Sequence, residues 1–367
     1  MFGVKKSKIL PKLINSFLII LLVFLFTKIS LFGKIFFQNT PLYDFDLYYT
    51  LIENIKSGIN PYSPNLTFSL GPPLVFLYFF PFSFFELSIA RILATTINIT
   101  AGFFLCFLLA KKFNKEYLLT TFLILSILFF SSFLPRFSLG MGQPSILLTL
   151  LVTLVIVSKN SFWKGIILAG VASIKTIFIF PILSFVRNKK LILSFLLTII
   201  FFVLLSLLFI KPDWYVYYFQ TVFSKLNGSP MVSSELDYYN QSLKSTFFRL
   251  GIIDSYKYLF FPILTISSVI IAITGSFELS IIATLLLSPV SWQHYFTVLF
   301  PIFIVVGFTM KKNLKNMFLF ALSFFLWFFE FPQLHTASTG LINGISASHF
   351  FISGLFLFYL IWTTKKK

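Results

Sequence analysis

The chain has 367 residues, 57% of them hydrophobic and 20% aromatic with 54 Phe, and only 11% charged, against roughly a quarter charged in an ordinary soluble domain. Apolar runs of bilayer-crossing length recur along it, which excludes a soluble enzyme and a disordered chain and predicts an all-α polytopic membrane protein. The net charge of +18 would suggest nucleic acid in a soluble protein, but here eighteen basic residues sit in six short clusters at the ends of apolar runs, and the other eleven match the eleven acids in number.

The clusters are Lys5, Lys6, Lys8 and Lys12; Lys111, Lys112 and Lys115; Lys159 and Lys164; Arg187, Lys189 and Lys190; Lys311, Lys312 and Lys315; and Lys365 to Lys367. Placing them in the cytoplasm constrains the rest of the chain. The first apolar run, 13–37, is too long for a secretory leader and lacks a small-residue cleavage site, so it reads as an uncleaved first span leaving at about Gln38. The first external loop then covers about 38–86, and its polar part carries Asp44, Asp46 and Glu53 against one Lys56. Within it Leu47, Leu51 and Ile55 share one helix face, a pattern suited to lying along the membrane surface, with Ser57-Gly58 as its stop. Asp44 falls at or just before the start of that helix, where an N-cap and a catalytic role weigh evenly. Asp46 is its rival, and two residues apart on a helix means side chains roughly 200° apart.

The next run, 72–85, is short and Pro-punctuated, which predicts a re-entrant or interfacial segment. Residues 87–110 return to the Lys111 cluster, with Arg91 at the head of the span. Segments 122–134 and 145–157 form an out-and-back pair whose bend, 135–144, holds Arg136 and Gly140-Met141-Gly142-Gln143. Segment 165–186 has basic clusters at both ends, so either it is a broken helix dipping in and out around Lys175 or one cluster lies on the other side. Lys175 stands ten residues into that run, too deep for easy snorkelling, and is expected to face an internal polar cavity. Segment 191–210 exits again, and 211–257 is a long external loop holding Asn240-Gln241-Ser242-Leu243 and Arg249. From Tyr258 the runs alternate, with Ser288-Pro289-Val290-Ser291-Trp292-Gln293-His294-Tyr295 at an outer junction. The scheme is one integral membrane domain over 1–367, with 10 to 12 spans and both termini cytoplasmic.

Cys106 is the one cysteine, so no intrachain disulfide and no Cys-ligated metal site forms. The chain has no HExxH, P-loop, GxSxG or DxD pattern, no carboxylate cluster pointing to a metal, and no sign of a cofactor. His335 and His349 receive no role.

In order along about 40–300 stand Asp44-Phe45-x-Leu47-Tyr48, Gly58-x-Asn60-Pro61-Tyr62, Pro72-Pro73-Leu74, Gly142-Gln143, Ala169-Gly170-x4-Lys175, Asn240-Gln241-Ser242-Leu243 and Ser291-Trp292-x-His294. In this the chain resembles glycosyltransferase family 87, membrane mannosyltransferases of GT-C architecture with juxtamembrane helices in the first external loop. It departs where Gly71 stands for an aromatic before Pro-Pro, and where Gln293 and Tyr295 stand for an acid and a second His. The resemblance implies a polyprenyl-phosphate sugar donor, typically mannose, and inverting transfer outside the cytoplasm to a lipid-linked or envelope glycan acceptor. It puts the family's first-loop aspartate on Asp44, in preference to Asp46, and its histidine on His294. An inverting transfer needs one carboxylate to take the acceptor's proton, while the departing lipid phosphate needs cations and hydrogen-bond donors. Arg91, Lys175, Arg249 and His294 are the candidates for the phosphate. Asp46, Tyr48, Tyr62, Gln143, Asn240, Gln241 and Trp292 are the candidates for the rest of the substrates. The alternative is a transporter or flippase of lipid-linked sugars, which would gather polar groups near the bilayer midplane. Here Asp44, Gln143 and His294 map to the outer interface. A non-catalytic assembly partner, the third possibility, would not need Asp44.

Overall fold

Large apolar side chains cover the outside of this protein as well as filling its core, and small hydroxyl side chains are buried among them, unlike a water-soluble bundle. In the computed structural model, which describes residues 9–28, 40–63, 71–223, 238–331 and 340–365, Leu197 and Leu204 are 56% and 61% exposed while Ser126, Thr149, Thr153, Ser280 and Thr284 are buried. Each of those five hydroxyls donates to a carbonyl three or four residues earlier on its own helix, which satisfies it without water. An apolar outer surface, with the buried hydroxyls satisfied on their own helices, belongs in lipid.

The described residues are helical throughout, apart from one isolated bridge. In chain order they form α1 (Ile9–Lys28), α2 (Tyr43–Lys56), and α3 (Val75–Phe79) running into a 3-10 turn, Phe80–Phe84. There follow α4 (Leu87–Phe113), α5 (Leu118–Ser131), α6 (Phe133–Met141), α7 (Ser145–Val157), α8 (Ser161–Ile174), a 3-10 segment Thr176–Phe185 and α9 (Lys189–Ser206). The second half holds α10 (Pro212–Tyr217), α11 (Leu243–Arg249), α12 (Ile253–Thr274), α13 (Phe277–Leu287), a 3-10 segment Gln293–Val298, α14 (Leu299–Thr309), α15 (Leu314–Phe328), α16 (Leu341–Ala347) and α17 (His349–Lys365). Lys5, Lys6, Lys8, the exit at Gln38, residues 224–237 of the long loop, His335, Lys366 and Lys367 lie outside the described residues.

By length and composition α4 and α9 each reach across a bilayer, and α5 with α6 makes a third if that pair, bent by 63°, is one span. Nine shorter apolar helices accompany them among the described residues. Apolar runs that look continuous in sequence are therefore broken in space. The run 165–186 divides at Lys175, whose backbone is extended at φ −139° and ψ 105°, and continues as a 3-10 segment containing Pro181. That is the broken-helix alternative. The bend expected over 135–144 begins earlier, at Ser132, which is extended between α5 and α6.

Helix α2 differs from its expected form in two ways. Leu42 occupies the N-cap position and Asp44 lies inside the first turn, so Asp44 is not the cap. Of its expected stripe, Leu51 and Ile55 are buried in the protein's own core together with Phe45, Tyr48 and Ile52, while Leu47 is half-buried on the edge of a cavity. Phe45 meets Phe82 edge-on at 5.3 Å and Tyr48 stacks on Phe79 at 4.3 Å, so the short 72–85 segment supplies the aromatic partner that α2 needs. Elsewhere helices close up on small residues. A Cβ added to Gly165 of α8 would overlap the Ser194 side chain of α9, a contact that only glycine permits. Lys365 at the end of α17 ties to the start of α13 through Glu278 and Ser276, both at 2.9 Å.

Candidate active site

Two carboxylates leave α2 in opposite directions. Asp46 points to α4, where Arg91 holds it with two parallel bonds, Nε to Oδ1 at 2.8 Å and Nη2 to Oδ2 at 2.7 Å. Asp44 points the other way, into a cavity of about 910 Å³. There it accepts a 2.7 Å bond from Gln143 Nε2. Burial holds its carboxyl above the usual carboxylate range, and the Gln143 bond and the positive charge of Lys175 draw it partly back.

The chain bend after α6 makes that meeting possible. Gly142 ends α6 in the left-handed conformation, φ 71°, and a Cβ there would come within 2.5 Å of Phe45 Cβ and 2.9 Å of Leu42 Cβ. Glycine thus serves both the turn and the close approach of α2. The next residue, Gln143, is carried directly onto Asp44.

Lys175 enters from the helix break. Its extended backbone turns the side chain out of the α8 line and into the cavity, with Nζ 4.9 Å from the centre of the Tyr295 ring, a cation–π contact. His294 lies beside it in sequence and lines the same cavity, edge-on to Tyr295 at 4.6 Å and tilted against Phe137 at 6.2 Å. Gln143 Oε1 and His294 Nε2 are buried and have no hydrogen-bond partner among the described residues. Buried polar atoms of this kind are costly unless something bonds them, and both belong to residues lining the cavity.

The cavity has two unlike walls. One is built from α2, α6 and the segments around Tyr239 and Trp292, and presents Tyr43, Asp44, Phe137, Tyr239 and Trp292. Phe137 and Tyr239 stack at 5.7 Å and 8°. The other is built from the 3-10 segment after Lys175 together with α12 and α13, and presents Ile177, Ile179, Phe180, Leu264 and Leu287.

Of the twelve residues singled out in the sequence, Asp44, Tyr48, Gln143, Lys175, Trp292 and His294 line this one cavity. The other six stand behind it. Asp46 and Arg91 hold each other. Tyr62 is fully buried, with its hydroxyl on the Gly71 carbonyl at 3.0 Å. Asn240 bridges Trp292, Gln241 bonds Tyr238 and Ala347 carbonyls, and Arg249 bonds the Asn240 carbonyl and Ser348. The sequence reading passed over Tyr295, Thr176 and Tyr218 as site residues, although all three line the cavity. Two of them are chain neighbours of residues it chose, and that adjacency was the available signal. Among the described residues no three His, Cys, Asp or Glu side chains gather to hold a metal ion.

The sequence pattern of glycosyltransferase family 87 matches residues 70–277, more than half of the chain. The match covers Gln143, Lys175, Asn240 and Arg249; Asp44 and His294 fall on either side of it and join Gln143 and Lys175 in the cavity. None of the curated proteins compared with the chain matches it.

Proposed function

The chain belongs to glycosyltransferase family 87, and from that membership we propose that it moves a hexose, mannose in our reading, from a polyprenyl-phosphate donor to a lipid-linked or envelope glycan acceptor outside the cytoplasm, with inversion. The observation that carries the reading is Asp44: a half-buried carboxylate, oriented by Gln143, in a cavity that it shares with Lys175 and His294.

In this mechanism the Asp44 carboxylate takes the proton of the acceptor hydroxyl. The acceptor oxygen attacks the anomeric carbon from the face opposite the phosphate, and the bond from that carbon to the phosphate oxygen breaks. The electron pair leaves with the polyprenyl phosphate, and Asp44 later releases its proton to water. No general acid is needed, because the lipid phosphate departs as a stable anion. Its growing negative charge is met by the Lys175 ammonium, with the His294 imidazole as a further hydrogen-bonding group. Lys175 is well suited to this, since Tyr295 supports it from behind with a ring face and leaves its N–H donors available. Arg91 and Arg249 act from outside the cavity on this reading, the first by anchoring α2 through Asp46.

The unlike walls support a division of labour. The apolar wall of Ile177, Phe180, Leu264 and Leu287 has no hydrogen-bonding side chain among these four and suits an isoprenoid chain, and it begins next to Lys175 on the 3-10 segment. The aromatic wall of Tyr43, Phe137, Tyr239 and Trp292 suits a sugar ring, and it carries the base.

The deciding experiment supplies membranes containing the chain with labelled polyprenyl-phosphate mannose and compares the native protein with Asp44→Asn. Lost transfer with donor binding retained is the expected result. Undiminished transfer by the variant would remove Asp44 from the chemistry, and absence of transfer by the native protein from any polyprenyl-phosphate hexose would remove the donor assignment.

A further inference from the structure

We propose that Arg249 is a positioning residue that holds the Trp292–His294 wall in place through Asn240 and Ser348; the inference rests on the transferase reading of the cavity given above. Arg249 does not line the cavity, yet the residue is only 3% exposed inside an apolar protein. A charge so placed needs acceptors. Nη1 donates to the Asn240 carbonyl at 2.8 Å, and Nε and Nη2 both reach Ser348 Oγ, at 3.1 and 2.9 Å.

Asn240 in turn fastens two segments that lie far apart in sequence. Its Oδ1 accepts from the Ser242 and Ser291 amides at 3.2 and 3.0 Å, and its Nδ2 donates to the Pro289 carbonyl at 3.3 Å. The Gln241 amide donates to the Ser291 carbonyl at 2.7 Å, and the Gln293 amide to the Tyr239 carbonyl at 2.9 Å. These bonds make the isolated antiparallel bridge between Asn240 and Trp292. Among the described residues the bridge has no neighbouring strand, so its stability depends on side chains at its ends. Arg249 closes it from one end and ties it to the start of α17.

The consequence for the site is geometric. Trp292 sits in the bridge and His294 follows it by two residues, and both line the cavity into which Asp44 points. A wall held by a two-residue bridge is placed only as well as the bridge is held, and displacement of a catalytic wall by about 1 Å can cost roughly 100-fold in rate. The Asn240-Gln241-Ser242 and Ser291-Trp292 motifs are thus two halves of one device, which Arg249 and Ser348 complete. On this account Arg249 acts on the reaction through the wall, without contacting the donor phosphate.

The test uses the full chain in lipid nanodiscs, with Arg249→Met, Arg249→Lys, Ser348→Ala and the Arg249→Met/Ser348→Ala double variant. Transfer from polyprenyl-phosphate mannose gives kcat and donor KM, and amide hydrogen exchange reports on Gln241 and Gln293. Expected are a loss of kcat/KM by roughly 10- to 100-fold for Arg249→Met, with kcat and KM both affected, a smaller loss for Ser348→Ala, and a double variant no worse than Arg249→Met. The Gln241 and Gln293 amides exchange faster in both single variants, the rise of rate with pH set by Asp44 stays where it is, and Arg249→Lys restores part of kcat. Native behaviour of Ser348→Ala with a large defect in Arg249→Met would overturn the proposal, since it would place Arg249 on the donor. Unchanged amide protection in Ser348→Ala would do the same. If Arg249→Met does not fold, Ser348→Ala and Arg249→Lys decide the matter. If the native chain transfers nothing from this donor, the functional reading fails, while the exchange data still test the clamp.

Discussion

The two faces of α2 carry the same chemical group in opposite circumstances. Asp46 meets an arginine in a bidentate pair and is electrically complete. Asp44 meets a neutral amide at 2.7 Å and an ammonium that touches an aromatic ring instead of the carboxylate. Burial penalises the Asp44 charge, and its partners only partly offset the penalty. One face therefore fixes the helix in place, and the other keeps a carboxylate under-compensated, as a general base must be. Identity of residue type says nothing about role here; the neighbour supplied by the fold does.

The sharpest way to break this comparison is to neutralise each acid in turn. Asp44→Asn is expected to lower transfer by roughly 1,000-fold, the scale of a lost general base. Its thermal unfolding should stay level or rise. The sign follows from the raised pKa: the folded protein binds more protons than the unfolded one between the ordinary carboxylate range and the raised value, so ionisation of Asp44 lowers stability as pH rises through that window. Asp46→Asn should do the reverse, with a modest loss of rate and a clear loss of stability. Activity and melting temperature measured on the same samples separate the two. Equal effects would erase the distinction.

Next in size is the cation. Lys175→Met is expected to cost roughly 100-fold in kcat with a weaker grip on the donor, while Arg91→Met should act chiefly on stability, by about 2 kcal/mol for a charged hydrogen-bonded partner left behind. Kinetics against donor concentration, beside detergent unfolding curves, read both. A smaller effect is expected at Gly142, where alanine must push Phe45 and Leu42 aside in a strained backbone conformation; overpacking of this kind costs about 1–3 kcal/mol, and it should slow transfer by parting Gln143 from Asp44. The smallest expected change is a shift in pH dependence. Transfer should rise with pH as Asp44 ionises and then level off, and Gln143→Leu, which removes a bond favouring the carboxylate, should move that rise to higher pH. A rise that stays in place would mean that another group controls it.

Much of this was legible along the chain. Polar residues are so scarce in a lipid-adapted sequence that each surviving one calls for a reason; that marked Lys175, while Asp44 and His294 were singled out from their rivals by the family resemblance. The break at Lys175 was readable too, because basic clusters at both ends of one apolar run do not fit a simple crossing. Arg91 and Arg249 show where that logic stops. Both are rare buried charges, and rarity marked them as strongly as Lys175, but their partners, Asp46 and Ser348, lie 45 and 99 residues away. Linear distance hides such a pairing, so a cation that completes the scaffold and a cation that faces the cavity look alike until the chain is folded.

By itself, then, the sequence determined the medium and the range of the chemistry: apolar composition demands lipid, and the few internal polar residues set what reactions are possible. Only the tertiary structure decided which of those residues act together. It did so because hydrogen bonds and ion pairs form within about 3 Å, and that scale is set by helix crossings, by one left-handed glycine at 142, and by a two-residue bridge joining segments 52 residues apart.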